Sequence, residues 1–437
     1  PVPQLVDSTP APQLSDVATA DNVIEAFFSY PIDEETMKVE GSVAVFKGGA
    51  EVEIDDSGIG LLDDNRTTRF SLVSGLEAGS AYQIRIAAAV GGPRREGDYV
   101  WEFSTAVPEL VDTNPVANAE AVDVGLDEVQ VIFSAPIDKV QLTPAHFVLS
   151  RGGQPVELRS NDPIDHGGNT YGLAPDGGFA VGTRYDLQIA PAVSGPLGSG
   201  ETETVSFSTR VPALIATTPA DGDIALADLS GIIEANFDAP IEQAVLVADG
   251  NVALMESGEV IAISTPSYDQ ESGVVSFAPV DGFRPGARYT VVIDGLVAGP
   301  LHAAAFGDFS WHFQTPVPEL VSQNPLGTVE EVGDRIRAEF SAAIDESLLS
   351  PDKIAQTVQV TREGEGEALA EGGVDFDPAT RILSVELAEG FKPGALYAVA
   401  LDGLLAGPLR AVGEGDFSWQ FQTPVPQLVD STPAPQL

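Results

Sequence analysis

The side chains best placed for chemistry are carboxylates. Asp55-Asp56, Asp63-Asp64, Asp162 to Asp165 and Asp221 to Asp223 hold acids within a few positions of one another. Carboxylates with nearby backbone carbonyls suit a hard divalent cation, so calcium is the candidate ion and Asp162, Asp165, Asp221 and Asp223 are its candidate ligands. None of these clusters follows the EF-hand spacing, and an acidic face turned to water is the other reading of the same residues. Paired carboxylates recur so often that no single pair points to general acid–base catalysis.

The remaining catalytic vocabulary is sparse. His146, His166, His302 and His312 form no His-x-x-x-His set, and the chain has no cysteine, so zinc, iron, thiol redox chemistry and disulfides are not expected. Neither a Gly-x-Ser-x-Gly elbow nor a Gly-x-x-x-x-Gly-Lys loop occurs, and no enzymatic activity or cofactor is expected. The balance of 21 basic to 66 acidic residues gives a formal charge of -45, which repels nucleic acid and anionic membranes. No apolar run reaches the roughly 18 residues that span a bilayer, and no secretory leader is legible before Pro1. Targeting and anchoring signals are expected outside this sequence.

The elements that carry these residues repeat. Val-Pro openings at Val2, Val107, Val211, Val317 and Val425 are spaced 105, 104, 106 and 108 residues apart. They divide the 437 residues into four expected domains, 1–106, 107–210, 211–316 and 317–423, with almost no free linker between them. Residues 424–437 repeat residues 1–14 and are expected to be the first strand of a following repeat.

Each repeat holds a strand with period-2 alternation, ending at Phe28, Phe133, Phe237 or Phe340. The strand runs into FSYPID, FSAPID, FDAPIE and FSAAID, where Pro31, Pro136 and Pro240 stop the ladder and the following isoleucine returns to the core. The acid after it is placed to cap the next short turn, as Asp33 would before Glu34 and Glu35. Later, Gly-x-x-Tyr opens a strand at Tyr82, Tyr185, Tyr289 and Tyr397. Those tyrosines read either as a tyrosine corner, with the hydroxyl on loop backbone, or as half-buried core residues.

The last strand carries Trp101 and Phe103, Phe207, Trp311 and Phe313, and Trp419 and Phe421. All three tryptophans occupy one repeat position, which argues for core anchors rather than carbohydrate-stacking residues. About seven strands per repeat, turns every 8 to 12 residues and no sustained helical period predict an all-β chain of tandem Ig-like β-sandwiches, arranged as an extended rod.

The Phe-Ser-x-Pro-hydrophobic-Asp segment, the Gly-x-x-Tyr strand and the closing Phe-x-Thr together resemble the bacterial Ig-like domains of the SbsA type, found in S-layer proteins and large repetitive surface adhesins. The resemblance covers all four repeats. It implies a spacer fold that carries other modules outward and has no catalytic residues of its own. The expected function is a stalk segment of a long bacterial cell-surface adhesin, extracellular, with neighbouring Ig-like repeats as its partners. Two other readings remain. One is a glycan- or protein-binding module using the loops 160–169 and 191–204 of the second repeat; the other is a subunit of a self-assembling filament or S-layer.

Overall fold

The computed structural model describes residues 1–55, 59–63, 65–224 and 231–427. Asp56, Asp64 and residues 428–437, most of the segment expected to open a further repeat, lie outside the described residues. The chain forms two compact units, Pro1–Val211 and Pro212–Leu437.

In the first unit, strands β1 (Leu5–Thr9), β2 (Ile24–Phe28), β3 (Val43–Lys47), β4 (Ala50–Val52), β5 (Gly60–Leu62), β6 (Thr67–Phe70), β7 (Ala81–Ile86) and β8 (Tyr99–Ser104) build two antiparallel sheets. Their orders are β1-β2-β6-β5 and β4-β3-β7-β8. The inner faces follow from alternation: Ile24, Ala26 and Phe28 are buried from one sheet, and Ile84, Ile86, Trp101 and Phe103 from the other. Together they form one apolar core. The second half of this unit builds its own pair of sheets around Val129, Val131, Phe133, Tyr185, Leu187 and Phe207.

The second unit repeats this arrangement twice. One sandwich centres on Ile233, Ala235, Phe237, Tyr289, Trp311 and Phe313, the other on Ile336, Ala338, Phe340, Tyr397, Trp419 and Phe421. Among the described residues each sandwich has eight or nine strands, the expected seven or so with short pieces added. The surplus is made of pieces such as Gln154–Pro155, Gly327–Thr328 and Glu365–Gly366, too short to show an alternation. Among the described residues helices are brief, the longest being Pro300–Phe306. No helix among the described residues is long and apolar enough to cross a membrane.

Candidate functional site

The four Gly-x-x-Tyr strands are held by one repeated clamp. Each tyrosine lies opposite the phenylalanine of the last strand, Tyr82 across from Phe103, Tyr185 from Phe207, Tyr289 from Phe313 and Tyr397 from Phe421. The rings stack with centroids 5.4, 5.4, 5.4 and 5.2 Å apart. Such pairs add about 0.5–1.5 kcal/mol to the burial of the rings themselves. The hydroxyl reaches the far end of the turn, where it accepts the backbone N–H of the residue five positions earlier: Glu77 at 2.9 Å, Ala180 at 2.9 Å, Arg284 at 2.8 Å and Lys392 at 2.8 Å. The tyrosine is therefore of the corner-like kind, a fully buried ring with its hydroxyl on loop backbone, and not a half-buried core residue.

The carbonyl of that same residue is held by the threonine that closes each repeat. Thr105, Thr209, Thr315 and Thr423 donate their hydroxyls to the carbonyls of Glu77, Ala180, Arg284 and Lys392 at 2.6–2.7 Å. The same hydroxyl oxygens accept the N–H of Ser80, Thr183, Ala287 and Ala395. A buried hydroxyl that both donates and accepts leaves the turn with no unpaired group at these positions. The turn preceding the strand is thus fixed from both sides.

In the first unit, this turn is what the second sandwich rests on. Gly79 has φ +56, and a Cβ there would lie 2.1 Å from the Ser194 carbonyl oxygen. Reciprocally, a Cβ at Gly195 would lie 2.2 Å from the Ala78 carbonyl oxygen. Only glycine permits both the left-handed backbone and that approach. Across the contact, Leu197 N–H donates to the Gly79 carbonyl at 2.8 Å. The Asp138 carboxylate accepts the Ala78 N–H with both oxygens at 3.1 Å. Burial pushes the Asp138 carboxyl above its usual value, with the Ala78 N–H opposing it.

The second unit builds the same joint from different chemistry. A Cβ at Gly286 would lie 2.1 Å from the Ala406 carbonyl oxygen, and one at Gly407 1.8 Å from that of Pro285. Leu409 N–H donates to the Gly286 carbonyl at 3.0 Å. Pro285 stands where Ala78 stands and has no N–H to offer. The acid of the following sandwich, Asp345, instead takes the Arg284 guanidinium at 3.1 Å, while Glu256 takes the other arm at 2.9 Å. Burial works against the Arg284 charge, but the two carboxylates outweigh it and raise its pKa. An amide donor in one joint is thus replaced by a side-chain cation in the other.

A second exchange of the same kind lies beside the joint. The aspartate of GDYVW and GDFSW caps the short 3-10 turn after the Gly-x-x-Tyr strand: Asp98 accepts Ala88 N–H, Asp308 Gly295 N–H and Asp416 Gly403 N–H, at 2.8–3.0 Å. The second repeat has Thr202 in place of this aspartate, and Pro191 at the donor position. Donor and acceptor have been lost together.

The other expected residues fall as follows. Ile32, Ile137, Ile241 and Ile344 are buried, whereas Pro31, Pro136 and Pro240 are exposed. Asp33 does not cap backbone as expected; its carboxylate is taken by the Thr36 hydroxyl, while Asp345 does cap Ser347 N–H. All three tryptophans are buried; the Trp419 indole N–H donates to the Pro325 carbonyl, and those of Trp101 and Trp311 have no partner in the structure.

The candidate calcium ligands are dispersed. Asp221 meets both the ring and the backbone N–H of His312, and Asp165 accepts Gly167 N–H at the tip of its hairpin. Asp223 offers its backbone carbonyl to Gln314 N–H, and Asp162 is exposed in the preceding loop. Among the described residues, no three His, Cys, Asp or Glu side chains converge on a site for a metal ion. In the loop 160–169, Ile164 is the one large apolar side chain exposed. Sequence reasoning missed the threonine clamp, the capping aspartates and the joint. The shared Phe-x-Thr and Gly-Asp strings were the available signal for the first two.

No curated protein matches this sequence. Among solved structures, the I9–I11 tandem of titin is 11% identical and covers 72% of this chain and 99% of its own, with a TM-score of 0.31. Domains 1–6 of the surface layer protein SbsC are 9% identical over 98% of this chain and 55% of that one, with a TM-score of 0.19. PcoC, a methionine-rich copper resistance protein from Escherichia coli, is 19% identical over 24% of this chain and 100% of its own, with a TM-score of 0.19. Three consecutive stretches, residues 2–105, 106–209 and 208–315, match the model of the bacterial Ig-like domain, and the fourth repeat carries the same clamp beyond them. With well over half its length so matched, the chain belongs to the bacterial Ig-like domain family.

Proposed function

We propose that this chain is a structural spacer in a long repetitive bacterial cell-surface adhesin, holding a distal binding module away from the cell. The observation that carries this reading is the joint, built twice to the same backbone plan from different side chains. A chain whose task is chemistry would concentrate its special residues in a cleft. Here the repeated polar networks secure the turn on which the next sandwich sits. The charge of -45 adds to this, since like-charged sandwiches resist collapsing on one another at low salt.

Each sandwich contributes on the order of 40 Å along the chain by strand length and sheet spacing, so four in line reach roughly 160 Å. Small-angle X-ray scattering of the purified chain at several salt concentrations tests the reading. A maximum dimension near that value that persists in high salt supports it. A compact particle of about half that dimension rejects it.

A further inference from the structure

The joint has two faces, and in each unit one copy of each face has no partner from that unit; the structure describes those at the fourth and the first sandwich in full. At the end of the fourth sandwich, the clamp holds Lys392-Pro393-Gly394 in the place of Arg284-Pro285-Gly286. Gly394 has φ +68, yet a Cβ there would meet only Val425, at 3.4 Å. The next sandwich's carbonyl, which stands 2.1 Å from the same point at Gly79 and Gly286, has no counterpart. At the start of the first sandwich, Gly92 has φ +85 and a Cβ would meet nothing within 4 Å, where Gly195 and Gly407 press against a neighbouring carbonyl. Asp33, which corresponds to Asp138 and Asp345, is exposed beside it.

We infer that the Lys392-Pro393-Gly394 face is a docking surface for the Asp33 and Gly92-Pro93 face of a sandwich of the first type. This deepens the spacer reading and rests on its joint. Three observations select that occupant. Pro393 has no N–H for an incoming acid, so recognition must come from a cation, as Arg284 supplies for Asp345, and Lys392 stands at that position. The charges match at the acid itself: Lys392, whose local partner is the exposed Glu389, stands where Arg284 meets Asp345, and Asp33 is the exposed acid of the first sandwich's corner, where Glu34 is already held by Lys38 and Arg94 adds a cation beside Gly92. Residues 424–437 also repeat residues 1–14, the segment that opens the first sandwich, so a first-type face is the one this end of the chain matches in sequence.

In the docked state, Lys392 turns from exposed Glu389 to Asp33. Arg94 N–H, in the place of Leu197 and Leu409, donates to the Gly394 carbonyl. The geometry is that of the joint in the second unit, with lysine for arginine.

The test places residues 317–423 directly before Pro1 of the whole chain, which creates the junction between two sandwiches that the chain already folds. The protein has no cysteine, so an engineered pair has no competing thiol. Lys392→Cys in the added copy is combined with Asp33→Cys in the sandwich that follows, and disulfide formation is followed in a glutathione buffer. The internal pair Arg284→Cys and Asp345→Cys serves as the positive reference. A pair using Glu51→Cys, on the β3–β4 hairpin away from Asp33, serves as the negative one.

Docking predicts that the Lys392–Asp33 pair closes at least tenfold more readily than the Glu51 pair, in the range of the internal reference. It also predicts at least tenfold slower hydrogen exchange at Arg94 N–H in the cysteine-free extended chain. Closure no faster than the Glu51 pair, with unchanged exchange at Arg94, overturns the proposal even where scattering still shows an elongated chain. The complementary chain, with residues 15–106 after Leu437, presents the same junction and decides the question if the first chain does not fold.

Discussion

Replacing Gly286 by alanine should damage the joint and not merely the turn. Two effects add. The first is backbone strain: φ is +54 at Gly286, and holding alanine in the left-handed region disfavours the folded state by about 1–2 kcal/mol. The second is steric. The new Cβ would stand 2.1 Å from the Ala406 carbonyl oxygen, which is backbone and cannot rotate away, so the two sandwiches must part by about an ångström. That displacement breaks the bond from Leu409 N–H to the Gly286 carbonyl, worth about 1 kcal/mol.

Gly394→Ala supplies the control, because its φ of +68 imposes the same strain while its Cβ meets only a side-chain methyl at 3.4 Å. The two variants should share the strain and differ by about 1–3 kcal/mol through the contact. A chain of several sandwiches does not unfold as one unit, so a local measurement is needed. Hydrogen exchange at Leu409 N–H is that measurement, and at 1.4 kcal/mol per factor of ten it should accelerate at least tenfold in Gly286→Ala. Gly79→Ala should do the same to Leu197 N–H. Unchanged exchange at Leu409 and Leu197, with stability losses equal to that of Gly394→Ala, would refute the assignment of these glycines to the joint.

Other outcomes follow from the same geometry. Burial pushes the Tyr289 hydroxyl up to about 12, against the Arg284 N–H that it accepts. Its folded pKa lies above its unfolded value near 10, so its contribution to stability is complete below pH ~10 and is lost as pH rises through about 12. Ultraviolet titration of tyrosinate alongside melting measured between pH 8 and 12.5 checks this, and Tyr289→Phe should remove that part of the profile while leaving Arg284 N–H unpaired, at about 1–3 kcal/mol. Arg284→Ala should weaken the second unit's joint by about 1–2 kcal/mol, a value discounted because the side chain is 43% exposed, with Arg284→Lys partly restoring it in chemical denaturation. Thr202→Asp alone should change stability by less than about 0.5 kcal/mol, whereas Pro191→Ala with Thr202→Asp should show a favourable coupling of about 0.5–1 kcal/mol in a double-mutant cycle. Millimolar calcium should raise the melting temperature no more than magnesium at equal ionic strength, since the candidate acids do not converge; a calcium-specific rise in calorimetry would contradict this.

The parts of the fold visible in the sequence are those set by local period. Ile24, Ala26 and Phe28 alternate within five residues, and their burial follows from that alone. Trp101, Trp311 and Trp419 share a repeat position, so a core role could be read without coordinates. The clamp was only half visible: Tyr82 stood out and Thr105 lay within the recurring Phe-x-Thr string, but that both close on Glu77 depends on a strand pairing between residues some twenty positions apart. The joint was not visible, because Gly79, although it opens the Gly-x-x-Tyr string, and Ser194 belong to different repeats, and nothing in either string points to the other. Asp33 shows the reverse error. Its position suggested a backbone cap, but Thr36 offered a hydroxyl first.

The clamp also determines how such a chain answers a pull. The connection to the next sandwich leaves through Thr315 and Pro316, and Gly286 N–H holds the Pro316 carbonyl at 2.8 Å while the Thr315 hydroxyl holds Arg284. Tension on this connection is therefore borne by several short bonds side by side, which must yield together and not one after another. No slack is available to lengthen first. Stretching force passes undiminished into the strand ladders, and each sandwich meets it as a spring whose stiffness was set at its last threonine.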